Sequence, residues 1–134
     1  MKAVQLSATV SLMMFGSALA TNIAQAQQPG IRRTELQRHD LSAPGREVVQ
    51  VRVDFGPRVA FPRHRHPGEE IVNVLEGSLE YQVEGKPPVT LNNGDVLFIP
   101  AGAIHAVRNV GSGEASELAT YIVEKGKPLL TEVK

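Results

Sequence analysis

The stretch "HRHPGEEIVNVLEG" (residues 64–77) opens on two histidines one residue apart and carries two adjacent glutamates, at 69 and 70, before an apolar, β-branched run. In an extended strand, residues i and i+2 point to the same face. His64 and His66 therefore project together, and Arg63 and Arg65 point the other way. Glu70 keeps the parity of the histidines as long as Pro67-Gly68 does not shift the register. A bulge there would bring Glu69 round instead, so the two carboxylates compete for the position. Two imidazoles and a carboxylate on one sheet face can hold a divalent cation. An isolated His-x-His is also common surface decoration, so the weight falls on what surrounds it. The chain has four histidines. Of the other two, His39 reads as a surface residue. His105 starts a strand just after "PAGAI" (100–104), where a barrel can bring it opposite the pair.

Working outward, the chain reads as strands. "EVVQVRVDF" (47–55) alternates, with Val49, Val51, Val53 and Phe55 on one face and Gln50, Arg52 and Asp54 on the other, the period of a half-buried strand. "EIVNVLEG" (70–77), "SLEYQVEG" (78–85), "GDVLFIP" (94–100), "IHAVRNV" (104–110) and "ELATYIVEK" (117–125) continue the series. "SGEASELATYIVEK" (112–125) has some helical character, but its β-branched and aromatic end favours a strand. Gly77, the run 84–88, Asn92-Asn93-Gly94-Asp95, Pro100-Ala101-Gly102 and Gly111-Ser112-Gly113 separate these segments, because Gly and Asn supply positive φ and Pro withholds a ladder donor. Short strands with turns every 8–12 residues predict an all-β sandwich or barrel. Neither an internal repeat nor a low-complexity segment interrupts it.

Residues 1–26 read differently. A single Lys2 precedes an apolar run from about Ala8 to Ala20, and Ala24-Gln25-Ala26 gives a small-x-small pattern, the layout of a cleaved secretory signal peptide. Ala18-Leu19-Ala20 is a second possible cut, and an uncleaved anchor is the alternative, although the run is shorter and more polar than a spanning helix needs. The expected organisation is a signal peptide (1–26), an N-terminal arm (27–45) with one short strand in "IRRTELQRHD", a barrel (46–125) and a C-terminal tail (126–134). Without residues 1–26 the chain has 13 Lys and Arg against 14 Asp and Glu. That balance gives no electrostatic case for nucleic acid or an anionic membrane. Cysteine is absent, which excludes disulfides, thiolate nucleophiles and thiolate metal sites.

The two histidine segments together resemble the cupin superfamily. Residues 64–77 match its first motif at His64, His66, Glu70 and Gly77. Residues 94–109, "GDVLFIPAGAIHAVRN", match the second at Gly94, Pro100, Gly102, His105 and Asn109. The first motif usually opens with a glycine six residues before its first histidine, where this chain has Arg58. Asn73 stands where relatives often carry an aromatic residue, at a parity that turns it away from the ligands. The resemblance covers about residues 46–124. It implies a small jelly-roll barrel with one metal held inside by His64, His66, Glu70 and His105.

A site of three histidines and one glutamate suits Fe, Mn, Ni, Co, Cu or Zn as the divalent ion rather than Ca or Mg. Four protein ligands leave positions open for water, dioxygen or a chelating substrate, and Glu70 can leave the metal to act as a base, as resemblance to cupin dioxygenases implies. The expected function is turnover of a small molecule of dioxygenase, isomerase or lyase type. The alternative is a non-catalytic module that binds a small ligand or a metal, since one fold hosts both. Phe61, Val72, Tyr81, Phe98, Val107 and Tyr121 are expected to line the cavity, with Tyr81, Tyr121 and Gln82 as its polar groups. A periplasmic or secreted location and a homodimer formed through the strand at 31–41 complete the expectations, the latter because sheet edges need cover.

Overall fold

The computed structural model describes residues 28–134; the expected signal peptide lies outside the described residues. Ten strands follow one another: β1 (Ile31–Asp40), β2 (Arg46–Phe55), β3 (Ala60–Arg65), β4 (Gly68–Glu76), β5 (Ser78–Val83), β6 (Val89–Asn92), β7 (Val96–Ile99), β8 (His105–Asn109), β9 (Ala115–Glu124) and β10 (Thr131–Glu132). They form two five-stranded sheets, in the orders β1-β2-β9-β4-β7 and β10-β3-β8-β5-β6, with every pair antiparallel. The two sheets face each other as a jelly-roll barrel. The paired strands extend past the 46–125 span at both ends. The arm supplies β1, ten residues long and paired with β2 from Ile31–Phe55 to Asp40–Glu47 across one bulge, and the tail supplies β10 on the edge of β3. The sequence pattern missed β6 and β10, each too short to display a period.

Alternation places the core. Val49, Val51, Val53 and Phe55 of β2, Val72 and Val74 of β4, and Ala119, Tyr121 and Val123 of β9 line the first sheet's inner face; Leu79 and Tyr81 of β5 and Val107 of β8 line the second's. Each is buried, and removing an aliphatic side chain of this kind from water is worth roughly 1.5–3 kcal/mol. Two expected cavity residues are elsewhere. Phe98 is 57% exposed, because β7 turns Ile99 inward and leaves Phe98 on the outer face, across from Ile71. Gln82 is exposed between inward-facing Tyr81 and Val83, and its amide donates to the Lys86 carbonyl.

Two glycines are required by their surroundings. A Cβ on Gly68 would lie 2.0 Å from the Ile122 carbonyl oxygen, so only glycine lets β4 start this close to β9. Gly77, at φ 73°, makes the reversal between β4 and β5, with the Glu114 carbonyl oxygen 2.7 Å from where a Cβ would sit.

Candidate metal centre

The four motif residues come from both sheets. His64 of β3 stands directly across from His105 of β8, their rings 4.2 Å apart between centroids. A register irregularity between Phe61 and His64 turns both side chains inward despite their odd spacing. His66 follows β3, where the chain leaves the second sheet for the first, and Glu70 lies on β4 opposite Tyr121. His64, His66, Gly68 and Glu70 are all buried, so Pro67-Gly68 preserves the parity and Glu69 is only half-buried. Arg63 and Arg65 are exposed on the outer face, and His39 is exposed on β1.

The ring nitrogens are oriented by backbone carbonyls, which can only accept. His64 Nδ1 donates to the Pro62 carbonyl (2.8 Å), His105 Nδ1 to Ala103 (2.9 Å) and His66 Nδ1 to Leu129 (2.7 Å). Each Nδ1 therefore bears the proton, and in the neutral ring Nε2 is left as a lone pair. Ala103 is presented by the turn in which its own N–H donates to the Pro100 carbonyl, with Gly102 at φ 71°. Leu129 comes from the tail.

One donor atom from each of His64, His66 and His105 falls within 4.8 Å of the others. Glu70 Oε2 is 3.1 Å from both His66 Nε2 and His105 Nε2, yet these three buried atoms have no hydrogen-bond partner. Unpartnered buried acceptors converging on one point are costly, and a single cation among them removes that cost. Burial, reinforced by the neighbouring His105, lowers the His64 pKa to about 3, which keeps the ring neutral. Burial opposes ionisation of Glu70, and protonated His105 and His66 beside its oxygen would outweigh it and hold the carboxyl below its usual range; with neutral rings, a cation among them takes that place. Neutral imidazoles and an ionised carboxylate are the protonation states that a metal requires.

A polar wall flanks the centre. The Tyr121 ring lies 4.6 Å from that of His66, and Tyr81 stacks at 6.4 Å from His105. The Tyr81 hydroxyl donates to Glu117, a carboxyl buried on β9. Burial, with Glu70 adding its charge, raises the Glu117 pKa to about 8. The Arg33 guanidinium, on β1, donates to the Tyr121 hydroxyl at 3.1 Å. Sequence reading missed Glu117 and Arg33. The signal was parity: Glu117 is in phase with Ala119, Tyr121 and Val123, and Arg33 with Ile31. Beside His105, a cleft of about 290 Å³ is lined by Arg63, Gln82, Glu84 and Ile104, among others.

A two-sheet jelly-roll barrel with a histidine cluster between its sheets is the architecture of a metal-binding barrel protein. The cupin domain pattern matches residues 51–123, more than half of the chain, and the chain belongs to the cupin family. It is similar to dimethylsulfoniopropionate lyase DddQ of Ruegeria pomeroyi, with 48% identity over 48 residues, covering 36% of this chain and 24% of the relative. A probable germin-like protein of Arabidopsis thaliana, subfamily 2 member 5, is 40% identical over 75 residues, covering 52% and 35%. The chain thus spans a quarter to about a third of the length of these relatives. Among solved structures, the Ruegeria pomeroyi lyase superposes with a TM-score of 0.65 at 25% identity, covering 92% of this chain and 59% of that one. A recombinant oxalate oxidase in complex with glycolate superposes with a TM-score of 0.64 at 27% identity, covering 80% and 57%. The family and the His64, His66 and His105 cluster make this a cupin of the metal-binding kind.

Proposed function

We propose that this cupin is a metal-dependent enzyme acting on a small molecule, with His64, His66, His105 and Glu70 holding one divalent transition ion. The observation that carries this reading is the set of imidazoles whose Nδ1 atoms are committed to carbonyls, with His66 Nε2, His105 Nε2 and Glu70 Oε2 left buried and unpartnered. The nitrogen-rich donor set fits Fe, Mn, Ni, Co, Cu or Zn. When bound, such an ion acts as a Lewis acid on a coordinated oxygen and fixes its position. The similar proteins are named for a lyase and an oxidase of small carboxylic acids, and that support favours lyase-like or oxidase-like turnover of a small acid.

The remaining steps belong to the chain's own groups. Glu70, buried between His66 and His105, serves as the base of the site when it leaves the ion. Glu117 holds its proton at neutral pH against the Tyr81 hydroxyl, so the pair can return a proton from the opposite wall. The barrel excludes water, since each of the four ligand side chains is at most 4% exposed. That same enclosure supports the second reading, a binding module without turnover.

Metal content by elemental analysis, with oxygen uptake and product detection across a panel of small hydroxy and dicarboxylic acids, tests the proposal. Turnover lost in His105→Ala is expected. Stoichiometric metal with no turnover on any acid would favour the binding module. We further place the protein in the periplasm or outside the cell, supported by the leader-like pattern at 1–26. We also propose a homodimer, supported by the outer edge of β1, which pairs with no further strand among the described residues, and by the outward strip formed by Phe98, Val96 and Ile71.

A further inference from the structure

Arg33 is the residue that the metal centre leaves unexplained. It sits on the edge strand β1 across from Val53, and its side chain turns inward behind Ile31 to the polar wall. Its Cζ lies 5.8 Å from the centroid of the Tyr121 ring, and that ring packs on His66. A guanidinium is always charged and carries five N–H groups. The one hydrogen bond this side chain makes among the described residues is to the Tyr121 hydroxyl. Arg32, Arg38, Arg52, Arg63 and Arg108 each pair with a carboxylate; Arg33 pairs with none among the described residues. The two acids on its side of the barrel make no ion pair with it: Glu117 accepts from Tyr81, and Glu70 faces His66 and His105.

Charges drawn into a protein interior are normally paired. A guanidinium turned inward without a carboxylate, one tyrosine ring from a metal centre, has the geometry of a group whose counter-ion arrives with the ligand. Tyr121 adds to it. Its hydroxyl accepts from Arg33, and its own proton has no acceptor among the described residues, so guanidinium and phenol present donors side by side.

We propose that Arg33 is the anion anchor of this site: the carboxylate of a short substrate docks on its free N–H groups and on the Tyr121 hydroxyl, while a second oxygen of the same molecule reaches the metal centre. This rests on the metal reading above and narrows its substrate to small acids with a hydroxyl, keto or second carboxyl oxygen. A planar fork receiving a carboxylate also fixes the substrate's orientation, which a lysine in its place would do less well.

The test uses the full chain loaded with Mn(II), as wild type, Arg33→Gln and Arg33→Lys. Glycolate, lactate and succinate are titrated by calorimetry beside glycolamide, the uncharged counterpart of glycolate, and Mn stoichiometry and melting temperature are recorded for each variant. At least one acid is expected to bind the wild type about tenfold or more tightly than glycolamide, as suits a charge-assisted contact. Arg33→Gln should lose that preference and leave Mn content unchanged, and Arg33→Lys should recover part of it. Equal affinity for the acids in wild type and Arg33→Gln, with Mn retained in both, would overturn the anchor and leave the metal centre standing. No acid bound by a Mn-loaded wild type would do the same. Where Fe, Co, Ni, Cu or Zn is retained instead, it takes the place of Mn in the titrations, and a wild type that retains none of these ions would overturn the metal reading and the anchor with it.

Discussion

Arg58 shows what one residue can cost. It is the only non-glycine with positive φ among the described residues, at 63°, in the turn where the Val59 N–H donates to the Gly56 carbonyl. A side chain held in the left-handed region costs roughly 1–2 kcal/mol, partly offset by the greater freedom glycine has when unfolded. The position is the one where the first cupin motif usually has glycine, so the departure noticed in the sequence has a backbone reason. Among the described residues, the Arg58 side chain makes no hydrogen bond or ion pair that would compensate. Arg58→Gly is therefore expected to stabilise the fold by about 0.5–1 kcal/mol in urea titration, with metal content unchanged. Glu117 gives a second prediction at this scale. Its pKa is about 8 when folded against 4.5 ordinarily. Between those values the native chain keeps a proton that the unfolded chain releases, so stability falls as pH rises through that window. His64, at about 3 against 6.5, works in the opposite direction, adding stability as pH climbs from 3 to 6.5. Glu117→Gln removes the first effect alone. In metal-free protein, the fall in melting temperature between pH 6.5 and 8.5 should flatten in the variant, and a slope equal to the wild type's would contradict the buried, proton-holding state of Glu117.

At the scale of elements, the centre depends on segments that carry none of its ligands. β10 adds only two residues to the edge of β3, yet the tail that bears it supplies the Leu129 carbonyl that orients His66. The Val133 N–H donates to the Arg63 carbonyl, and Gln28 Nε2 donates to Glu132 at 2.7 Å, tying the two ends of the described chain together. Groups that orient a ligand typically matter 10–100-fold in metal affinity. Truncation after Gly126 is expected to weaken metal binding by about that factor in competition with a chelator, whereas Leu129→Ala, which keeps the carbonyl, should weaken it much less. Asn109 serves the second motif in a similar structural way. Buried at the end of β8, its amide donates to the Gly56 carbonyl at 3.0 Å and to Gly113 at 2.8 Å, and its oxygen accepts from the Gly111 N–H. It fastens two loops and touches no ligand, and Asn109→Ala should cost about 2–3 kcal/mol in denaturant unfolding by leaving those groups buried and unpaired. These dependencies mark the limit of what the sequence shows. Strict alternation exposed β2, β5 and β9, and the fixed spacings brought His64, His66, Glu70 and His105 to notice. The backbone acceptors at Pro62, Ala103 and Leu129 have no residue-type signature, since any residue supplies a carbonyl. Phe98 misled because a four-residue strand inside an apolar run gives no phase, and only pairing with Ile71 decides which side faces out. Arg33 stayed hidden because its parity with Ile31 is the one inward signal in an arm whose further positions are mostly polar and exposed.

For the molecule as a whole, the placement of the site would make an ion held by the proposed ligands a cross-link. His64 and His105 are neighbours in the second sheet, Glu70 is in the first, and His66 sits where the chain passes between them. An ion held by all four joins the two faces of the barrel at its centre. Without it, three buried acceptor atoms face one another unpartnered, a penalty charged only to the folded state. Ligand linkage then sets the scale: at a metal concentration a thousandfold above the dissociation constant, the folded state gains about 4 kcal/mol. For a domain of this size each kilocalorie moves the melting temperature by roughly 4–8 °C. Scanning calorimetry of the metal-loaded and chelator-treated chain is therefore expected to show a difference of ten degrees or more. Glu70→Ala should lose most of it, because the ion would then be held without its contact to the first sheet, and His105→Ala should lose nearly all of it. If the two preparations melted together, the ion could not be bridging the sheets. If they differed in wild type and Glu70→Ala alike, the ion would be held by the histidines alone, and Glu70 would be left with its role as base.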